Sequence, residues 1–163
     1  MPEVLFAPWR YEYLVSDKSG GCIFCDAAAS KDDGKSLVVH RGRRVFVLLN
    51  RYPYTNGHVM VAPYAHDAWL SDSDPETQAE LIATLATAQR ILVSHYRTDG
   101  LNVGINFGSA AGAGVAHHYH VHVVPRWAGD TNFMTVTGDV RVVPENLEDT
   151  RRRLVPLFAG GAA

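Results

Sequence analysis

The sequence predicts an α+β fold: one domain with a five-stranded, mainly antiparallel sheet, one long helix and a C-terminal helix. Three observations support this prediction. Five short apolar or alternating runs are bounded by turn residues, as strands are. One segment instead repeats apolar residues at helical spacing, at Leu81, Leu85, Ala88 and Leu92. The length of 163 residues, without repeats or an evident linker, is that of a single domain, which we assign to residues 1–163.

The N-terminal third is predicted to contain an arm, a cysteine turn and two strands. Residues 1–20 are rich in aromatic side chains without a clear period, so we expect them to pack on the domain as an arm. Cys22 and Cys25 follow two glycines and are predicted to lie in a tight turn, with a short helix or loop after them. The first two strands are predicted at residues 36–40 and 45–49, around a basic turn at 41–44.

The remaining elements follow from the same signals. The third strand is predicted at residues 58–63, the fourth at 101–108 and the fifth around the histidines from His118 to His122. The long helix is predicted to begin after Ser73, which can cap it, with Pro75 in its first turn and Glu76 completing a capping box. A C-terminal helix is predicted from Glu145 to Phe158, within a terminal segment 145–163.

The composition is that of an ordinary globular protein and argues against two classes of partner. Hydrophobic residues make up 47% of the chain and charged residues 20%, and the formal net charge is −2. We therefore expect neither a nucleic-acid partner nor attachment to a membrane. The opening residues show neither a basic start nor an apolar run, and no apolar stretch approaches membrane-spanning length, so we expect a cytoplasmic protein without a signal peptide.

The most informative segment carries three histidines that alternate with apolar or aromatic residues. In a strand, His118, His120 and His122 share one face at intervals of about 6.5–7 Å, while Tyr119 and Val121 point into the core. A strand needs none of these histidines. Three imidazoles in a row therefore indicate metal binding, phosphate binding or attack on an electrophile.

A histidine that attacks phosphorus forms a phosphoramidate intermediate, because imidazole is both a good nucleophile and a good leaving group. The attacking nitrogen must be unprotonated, which requires the other ring nitrogen to donate a hydrogen bond, often to a backbone carbonyl. A neighbouring imidazole can then hold the phosphate oxygens. The small residues of the 108–114 loop, just before the histidines, would let backbone N–H groups approach the phosphate closely.

The segment from His118 to Trp127 resembles the signature of the histidine triad family of nucleotidyl hydrolases and transferases. Two further blocks match the same family, residues 50–53 with 57–63 and residues 102–108. Residues 8–14 and 126–133 are similar to its bacterial branch of diadenosine tetraphosphate phosphorylase-like proteins. The resemblance implies the histidine triad fold, with two protomers forming a homodimer about a two-fold axis.

The resemblance also implies roles for single residues. His120 matches the family's nucleophile, His122 the histidine that contacts the transferred phosphate, and the carbonyl of His118 the group that orients His120. The positions that match nucleotide contacts are Asn50 on the ribose, the supporting His58, Asn106, Gly112 and Gly114 on the phosphate side, and Trp127 as a wall of the pocket. Asn50 and Trp127 also have plainer interpretations, as a turn residue and a core residue.

The two cysteines of the chain, Cys22 and Cys25, form a C-x-x-C pair, which in a reducing compartment indicates a metal or redox site rather than a structural disulfide. Buried free thiols are a further interpretation. Zinc-bearing members of the resembled family use such a pair with two histidines, which match His66 and His118 here. The resemblance therefore implies a structural zinc site of the closed Cys₂His₂ type, which would contribute folding energy.

One loop departs from the family pattern. Hydrolytic members place Gln and then Ser or Thr before the histidines, whereas this chain has Ala113 and Gly114 in a loop one residue longer. Neither residue can orient a water molecule or protonate a poor leaving group. We therefore expect phosphoanhydrides to be preferred over phosphoramidates, and inorganic phosphate to be a candidate acceptor besides water.

The resemblance thus implies a nucleotidyl hydrolase or transferase that cleaves the α-phosphate anhydride of dinucleoside polyphosphates through a covalent nucleotidyl-histidine, discharged to phosphate or water. Purine nucleotides are the expected substrates, because the family mostly favours them. Two alternatives stay open. The chain could be a purine-nucleotide-binding module with weak phosphoramidate or nucleotidyl hydrolase activity that acts through protein partners. It could also be a zinc protein in which all three alternating histidines are ligands.

Overall fold

The structure is a computed structural model that describes residues 21–130 and 145–160. The expected arm at residues 1–20 and the family-like residues 131–133 lie outside the described part, as do residues 134–144 and 161–163. Within that part, the three α-helices are α1 (Ile23–Ala29), α2 (Pro75–Tyr96) and α3 (Leu147–Ala159). The five strands are β1 (Val38–Arg41), β2 (Val45–Leu49), β3 (Val59–Pro63), β4 (Gly100–Ile105) and β5 (Val121–Arg126).

The five strands form one sheet in the order β1-β2-β3-β5-β4, and each neighbouring pair is antiparallel. β5 therefore lies inside the sheet between β3 and β4, while β4 forms one edge. The predicted α+β fold, with a five-stranded antiparallel sheet, a long helix and a C-terminal helix, is confirmed. In the described part of the chain, no helix has both the length and the apolar character needed to span a membrane.

Helices cover both faces of the sheet, which divides the core in two. α2 and α3 pack on one face, where Leu81, Leu92 and Leu154 meet alternate strand residues. α1 covers the other face, where Phe24 packs with Phe46. β2 contributes alternate residues to each cluster, since successive side chains of a strand point to opposite faces. The alternating histidines lie on the α1 face, because their rings pack against Phe24.

The predicted tight turn at the cysteines is wrong, because a helix begins there. Cys22 is the N-cap residue of α1 and Cys25 lies in its first turn, where the backbone N–H of Asp26 donates to the carbonyl of Cys22 over 2.9 Å. No glycine or proline interrupts residues 23–29, and Asp26 suits the positive end of the helix dipole. The three-residue spacing then brings both sulfurs to the same side of the helix start.

The N-cap of α2 is Asp74 rather than the predicted Ser73. The Asp74 carboxylate accepts from the backbone N–H of Thr77 over 2.9 Å. Ser73 is buried and donates instead to the Asp67 carboxylate over 2.7 Å, while it accepts from the Tyr119 hydroxyl over 2.8 Å. Ser73 thus connects the loop after β3 to the residue that separates two of the histidines.

The predicted histidine strand is correct in its alternation but begins later than predicted, at Val121. The backbone N–H of Tyr119 donates to the carbonyl of Asp67 over 2.8 Å, so the β ladder does not extend back to the earlier histidines. Tyr119, Val121 and Val123 are buried in the core beneath α2, as their parity predicts.

Candidate active site

The pairing of β5 determines what surrounds the histidines. His122 is opposite Met60 of β3 on one side and Gly104 of β4 on the other. Gly104 has no side chain, and a Cβ built there would meet nothing within 4 Å. Continuing the same register past the end of β4 places the exposed Asn106 beside His120. The face is therefore open on the β4 side of the histidines.

His120 is held so that one of its ring nitrogens is an acceptor. Its Nδ1–H donates to the carbonyl of His118 over 3.1 Å, which leaves the lone pair on Nε2. The centroid of its ring lies 4.5 Å from that of Phe24 and 4.8 Å from that of His122. Only 5% of His120 is exposed, so the lone pair is held in a nearly dry setting.

His122 is fixed in the opposite sense by a chain of two hydrogen bonds. The backbone N–H of Tyr54 donates to Nδ1 of His58 over 3.1 Å, so the proton of the neutral His58 ring is on Nε2. That Nε2–H donates to Nδ1 of His122 over 3.0 Å. The proton of a neutral His122 is therefore on its own Nε2. The two neighbouring imidazoles thus differ, because His120 offers a lone pair and His122 offers an N–H.

Gly57 allows the chain to bring His58 to this position. Its φ of 72° is in the left-handed region, and a Cβ there would stand 2.8 Å from the ring of Tyr96 on α2. His58 follows directly and is only 1% exposed. The structure therefore places His58 behind His122, where its Nε2–H donates to that ring.

Burial keeps both rings neutral near neutral pH. It lowers the pKa of His120, although the hydrogen bond to the His118 carbonyl opposes the shift. The pKa of His122 falls to about 4, mainly through burial and further through the neighbouring His120. A neutral His120 keeps the lone pair that attack requires, and a neutral His122 keeps its single N–H.

Four side chains form a second cluster, and their ligand atoms all lie within 4.8 Å of one another: Cys22, Cys25, His66 and His118. Sγ of Cys22 lies 3.3 Å from Nδ1 of His118. Sγ of Cys25 lies 3.1 Å from Nδ1 of His66 and 3.6 Å from Nδ1 of His118. A tetrahedral zinc ion, with bonds of about 2.3 Å to sulfur and 2.0 Å to nitrogen, would set such S···N edges at about 3.5 Å. Donor set and spacing therefore fit four-coordinate zinc.

Contacts of His118 and Arg41 hold the possible ligands in an orientation and protonation state that suit a metal. Nε2–H of His118 donates to the carbonyl of Pro63 over 2.9 Å, so Nδ1, which faces the sulfurs, carries the lone pair that a metal needs. Arg41 fixes the helix that carries the cysteines, because its guanidinium donates to the carbonyls of Ala28 and Ser30 at the end of α1.

The arrangement does not favour the alternative in which all three alternating histidines are metal ligands. Only His118 of the three belongs to the cluster of possible metal ligands. His120 and His122 belong to no such cluster among the described residues. Nδ1 of His120 is engaged with the carbonyl of His118, and Nδ1 of His122 with His58.

Asn50 lies beside His58, and the glycine loop precedes the histidines along the chain. Oδ1 of Asn50 accepts from the backbone N–H of Tyr52 over 3.0 Å, which is the contact of a turn residue, and its Nδ2 lies 3.5 Å from Nδ1 of His58. Gly112, with a φ of 85°, and Gly114 lie in the exposed loop that precedes the histidines. The structure thus places Asn50 in contact with His58, and the two glycines a few residues before His118 in the chain.

Trp127 is not brought to the histidines of its own chain. It follows the last residue of β5, whereas His120 precedes the first. A strand of 6 residues spans about 20 Å, so the two side chains lie at opposite ends of it. The indole N–H of Trp127 donates to the carbonyl of Tyr96 at the end of α2 over 3.3 Å.

Two residues on which the site depends carry no sequence signal. Phe24 packs on the rings of His118 and His120, but in the sequence it is only a spacer of the C-x-x-C pair. Arg41 belongs to the predicted basic turn, whereas the structure places it in β1 with its guanidinium on α1. Both contacts join separate elements, so no local spacing identifies them.

Comparisons with known proteins agree with this geometry. The family model described as the HIT domain matches residues 31–129. The AP-4-A phosphorylase of Mycobacterium tuberculosis is 42% identical over 164 residues, which cover 95% of this chain and 84% of that protein. A solved Zn-bound histidine triad family protein from Mycobacterium smegmatis matches with a TM-score of 0.69 at 31% identity, covering 86% of this chain and 94% of that one. A hypothetical histidine triad nucleotide-binding protein from Sulfolobus tokodaii also has a TM-score of 0.69, at 26% identity, with coverage of 85% and 93%.

We expect His122 to make the fold sensitive to acid. Its pKa is about 4 in the folded chain against an ordinary value of 6.5, so protons bind the unfolded chain first as the pH falls. The free energy of unfolding should therefore fall between about pH 6.5 and about pH 4, and His122→Gln should flatten that part of the profile. Urea unfolding measured across this range checks the expectation.

His95→Gln is the control for this measurement, because His95 is exposed on α2. The control should keep the acid dependence of the wild type. Equal flattening in both variants, or no flattening in His122→Gln, would contradict the prediction.

Proposed function

This chain belongs to the HIT domain family, and from that premise we propose that it is a nucleotidyl hydrolase or phosphorylase that acts on dinucleoside polyphosphates. The observation that carries the proposal is the pair of complementary imidazoles. His120 offers a lone pair at Nε2, and His122 offers an N–H beside it. A nucleophile and a donor to the phosphate oxygens require this arrangement. The 42% identity to an AP-4-A phosphorylase supports the substrate class.

In the first step, Nε2 of His120 attacks the α-phosphorus of the substrate. The phosphorus–nitrogen bond forms as the bond from phosphorus to the bridging oxygen breaks. The nucleoside polyphosphate departs as an anion and needs no proton, which suits a loop that has Ala113 and Gly114 in place of polar side chains. His122 donates from Nε2 to an oxygen of the transferred phosphate and offsets its negative charge.

The second step discharges the nucleotidyl-His120 intermediate. An oxygen of the acceptor attacks phosphorus, the phosphorus–nitrogen bond breaks, and its electron pair returns to Nε2. Phosphate as the acceptor gives a nucleoside diphosphate, and water gives a nucleoside monophosphate. Ala113 and Gly114 carry no group that could activate water. We therefore assign phosphate, which already carries a nucleophilic oxygen, as the main acceptor.

The nucleotide contacts are assigned from placement on the histidine face. Asn106 and the loop that contains Gly112 and Gly114 are assigned to the polyphosphate, because Asn106 is exposed beside His120 and the loop leads into the histidines. Asn50 is assigned to the ribose hydroxyls, and its position next to His58 supports this. We assign to Trp127 no contact with a nucleotide bound at His120 of the same chain, because the two residues lie at opposite ends of β5.

Turnover of diadenosine tetraphosphate with and without inorganic phosphate tests the proposed reaction. We expect phosphate to raise the rate and to change the released mononucleotide from AMP to ADP, because it replaces water as the acceptor. Rapid quenching should trap a covalently bound nucleotide on the wild type. His120→Ala should lose both turnover and the covalent nucleotide. Chromatography identifies the products, and mass spectrometry identifies the adduct.

His117→Ala is the matched control, since this neighbouring histidine is exposed and should be dispensable. A rate and a product that phosphate leaves unchanged would contradict the phosphorylase assignment. Normal turnover by His120→Ala would remove the proposed nucleophile. A purely nucleotide-binding module would bind nucleotide but form no covalent adduct.

We also propose that Cys22, Cys25, His66 and His118 hold a structural zinc ion. The donor set and its spacing support this, and the M. smegmatis relative at 31% identity is Zn-bound. When bound, the metal would cross-link α1, the loop after β3 and the segment ahead of β5. As a ligand, His118 would also be fixed where its carbonyl accepts the hydrogen bond of His120.

We expect about one zinc ion per chain in protein purified without chelator. His66→Asn should lose the metal and lower the Tm, because it leaves three of the four ligands. His117→Asn, at an exposed histidine outside the cluster, should retain the metal and the Tm of the wild type. Elemental mass spectrometry and thermal unfolding measure the two effects. Zinc retained after both cysteines are replaced by serine would contradict this site.

We further propose that two copies of the chain form a homodimer through β4. This strand is one edge of the sheet, and its large apolar side chain Val103 is 54% exposed. An edge strand can pair with the same strand of a second copy about a two-fold axis, which would continue the antiparallel sheet. Family membership supports the same arrangement.

Val103→Glu should convert the dimer to a monomer, because it would bury two carboxylates near each other at the axis. Analytical ultracentrifugation measures the mass. Val93→Glu, at a 42% exposed position of α2, is the control and should leave the dimer intact. A monomeric wild type at micromolar concentration would overturn the proposal.

A further inference from the structure

The direction of the His120 lone pair depends on more than its hydrogen bond to the main chain. That bond restrains a single atom, Nδ1, at the carbonyl of His118. Nε2 lies across the ring from Nδ1, so its direction depends on the plane of the whole imidazole. An in-line attack on phosphorus therefore needs a second contact that fixes this plane.

Phe24 lies against His120 and supplies such a contact. Its ring centroid is 4.5 Å from that of His120, with 32° between the planes, and 5.1 Å from that of His118. Phe24 is 0% exposed and is itself packed among buried residues, including Phe46 and Met60. A close-packed neighbour of this kind yields little, so the imidazole cannot tilt towards Phe24 without a steric cost.

The position of Phe24 is determined by the segment that carries the metal-binding cysteines. Phe24 and Ile23 are the two residues between Cys22 and Cys25, at the start of α1. Ile23 is 54% exposed, whereas Phe24 is fully buried against the histidines. The same helix start therefore presents sulfurs to the ring of His118 and a phenyl ring to His120.

We propose that Phe24 is a positioning residue that fixes the imidazole plane of His120, so that the cysteine segment serves the chemical step as well as the fold. This inference rests on the proposed nucleophilic role of His120. Loss of the flat ring would let Nε2 leave the line of attack, and a displacement of about 1 Å can cost about 100-fold in rate. Phe24 has no exposed surface with which to contact a nucleotide, so binding should change little.

Phe24→Leu tests the proposal, and Phe46→Leu is its matched control. Both phenylalanines are 0% exposed and belong to one cluster, but Phe46 stacks on Tyr64, with centroids 5.1 Å apart. The two variants remove the same atoms from the same core, so they should lose stability to a similar extent. We expect Phe24→Leu to lower kcat at least about tenfold with KM within about twofold, and Phe46→Leu to leave both near wild type.

A second measurement does not depend on turnover. Nitrogen NMR of isotope-labelled histidine reports the tautomer of each ring, and His120 should show one tautomer, with the proton on Nδ1, in the wild type and in Phe46→Leu. In Phe24→Leu the His120 signal should be averaged, because the ring samples more than one orientation. Rates are divided by the concentration of folded sites, which is measured by nucleotide binding. Partial unfolding of a variant then does not appear as a lower kcat.

Equal loss of kcat in the two leucine variants would overturn the proposal, as would wild-type kcat with an unaveraged His120 signal in Phe24→Leu. Phe24→Met also fills the space without a flat ring, and it replaces the leucine variant if that protein does not fold. A wild-type protein that forms no covalent nucleotide would instead overturn the proposed function. The two failures are therefore distinguishable.

Discussion

His118 is held both at its ring and at its backbone carbonyl, and the rest of the site depends on this constraint. Its buried ring donates to the carbonyl of Pro63 and faces the two sulfurs, while its own carbonyl accepts the Nδ1–H of His120. Ring and carbonyl belong to the same residue and both are engaged, so a shift of the backbone at residue 118 would disturb the contacts of both. The possible metal ligands and the proposed nucleophile are therefore parts of one mechanical unit rather than two neighbouring sites.

Hydrogen bonding and burial together make two identical side chains chemically different. A carbonyl acceptor leaves His120 with a lone pair on Nε2, and the donor His58 leaves His122 with a proton there. Burial lowers the pKa of both rings and so favours the neutral forms on which this difference depends. Protonation of His120 would remove the distinction, since an imidazolium ion only donates, and protonation of His122 at Nδ1 would break the hydrogen bond that it accepts from His58.

Much of the fold could be predicted because it depends on short patterns. Period-two alternation correctly assigned Tyr119 and Val121 to the core, and helical spacing identified the buried face of α2. Errors arose where two neighbouring residues could serve the same local role. Ser73 and Asp74 are both good N-caps, and the choice between them depends on Asp67 and Tyr119, which engage Ser73 from elsewhere in the chain.

By itself, the sequence determined which side chains share a face and which residue types could perform the chemistry, because strand parity is a local property. Only the tertiary structure decided which nitrogen of each ring carries the proton and which aromatic ring packs against His120. Apart from the carbonyl of His118, the partners that decide these points are remote along the chain. His58 is 64 residues from His122, and Phe24 precedes His120 by 96 residues. Folding must bring such groups within hydrogen-bond distance before their chemical roles exist.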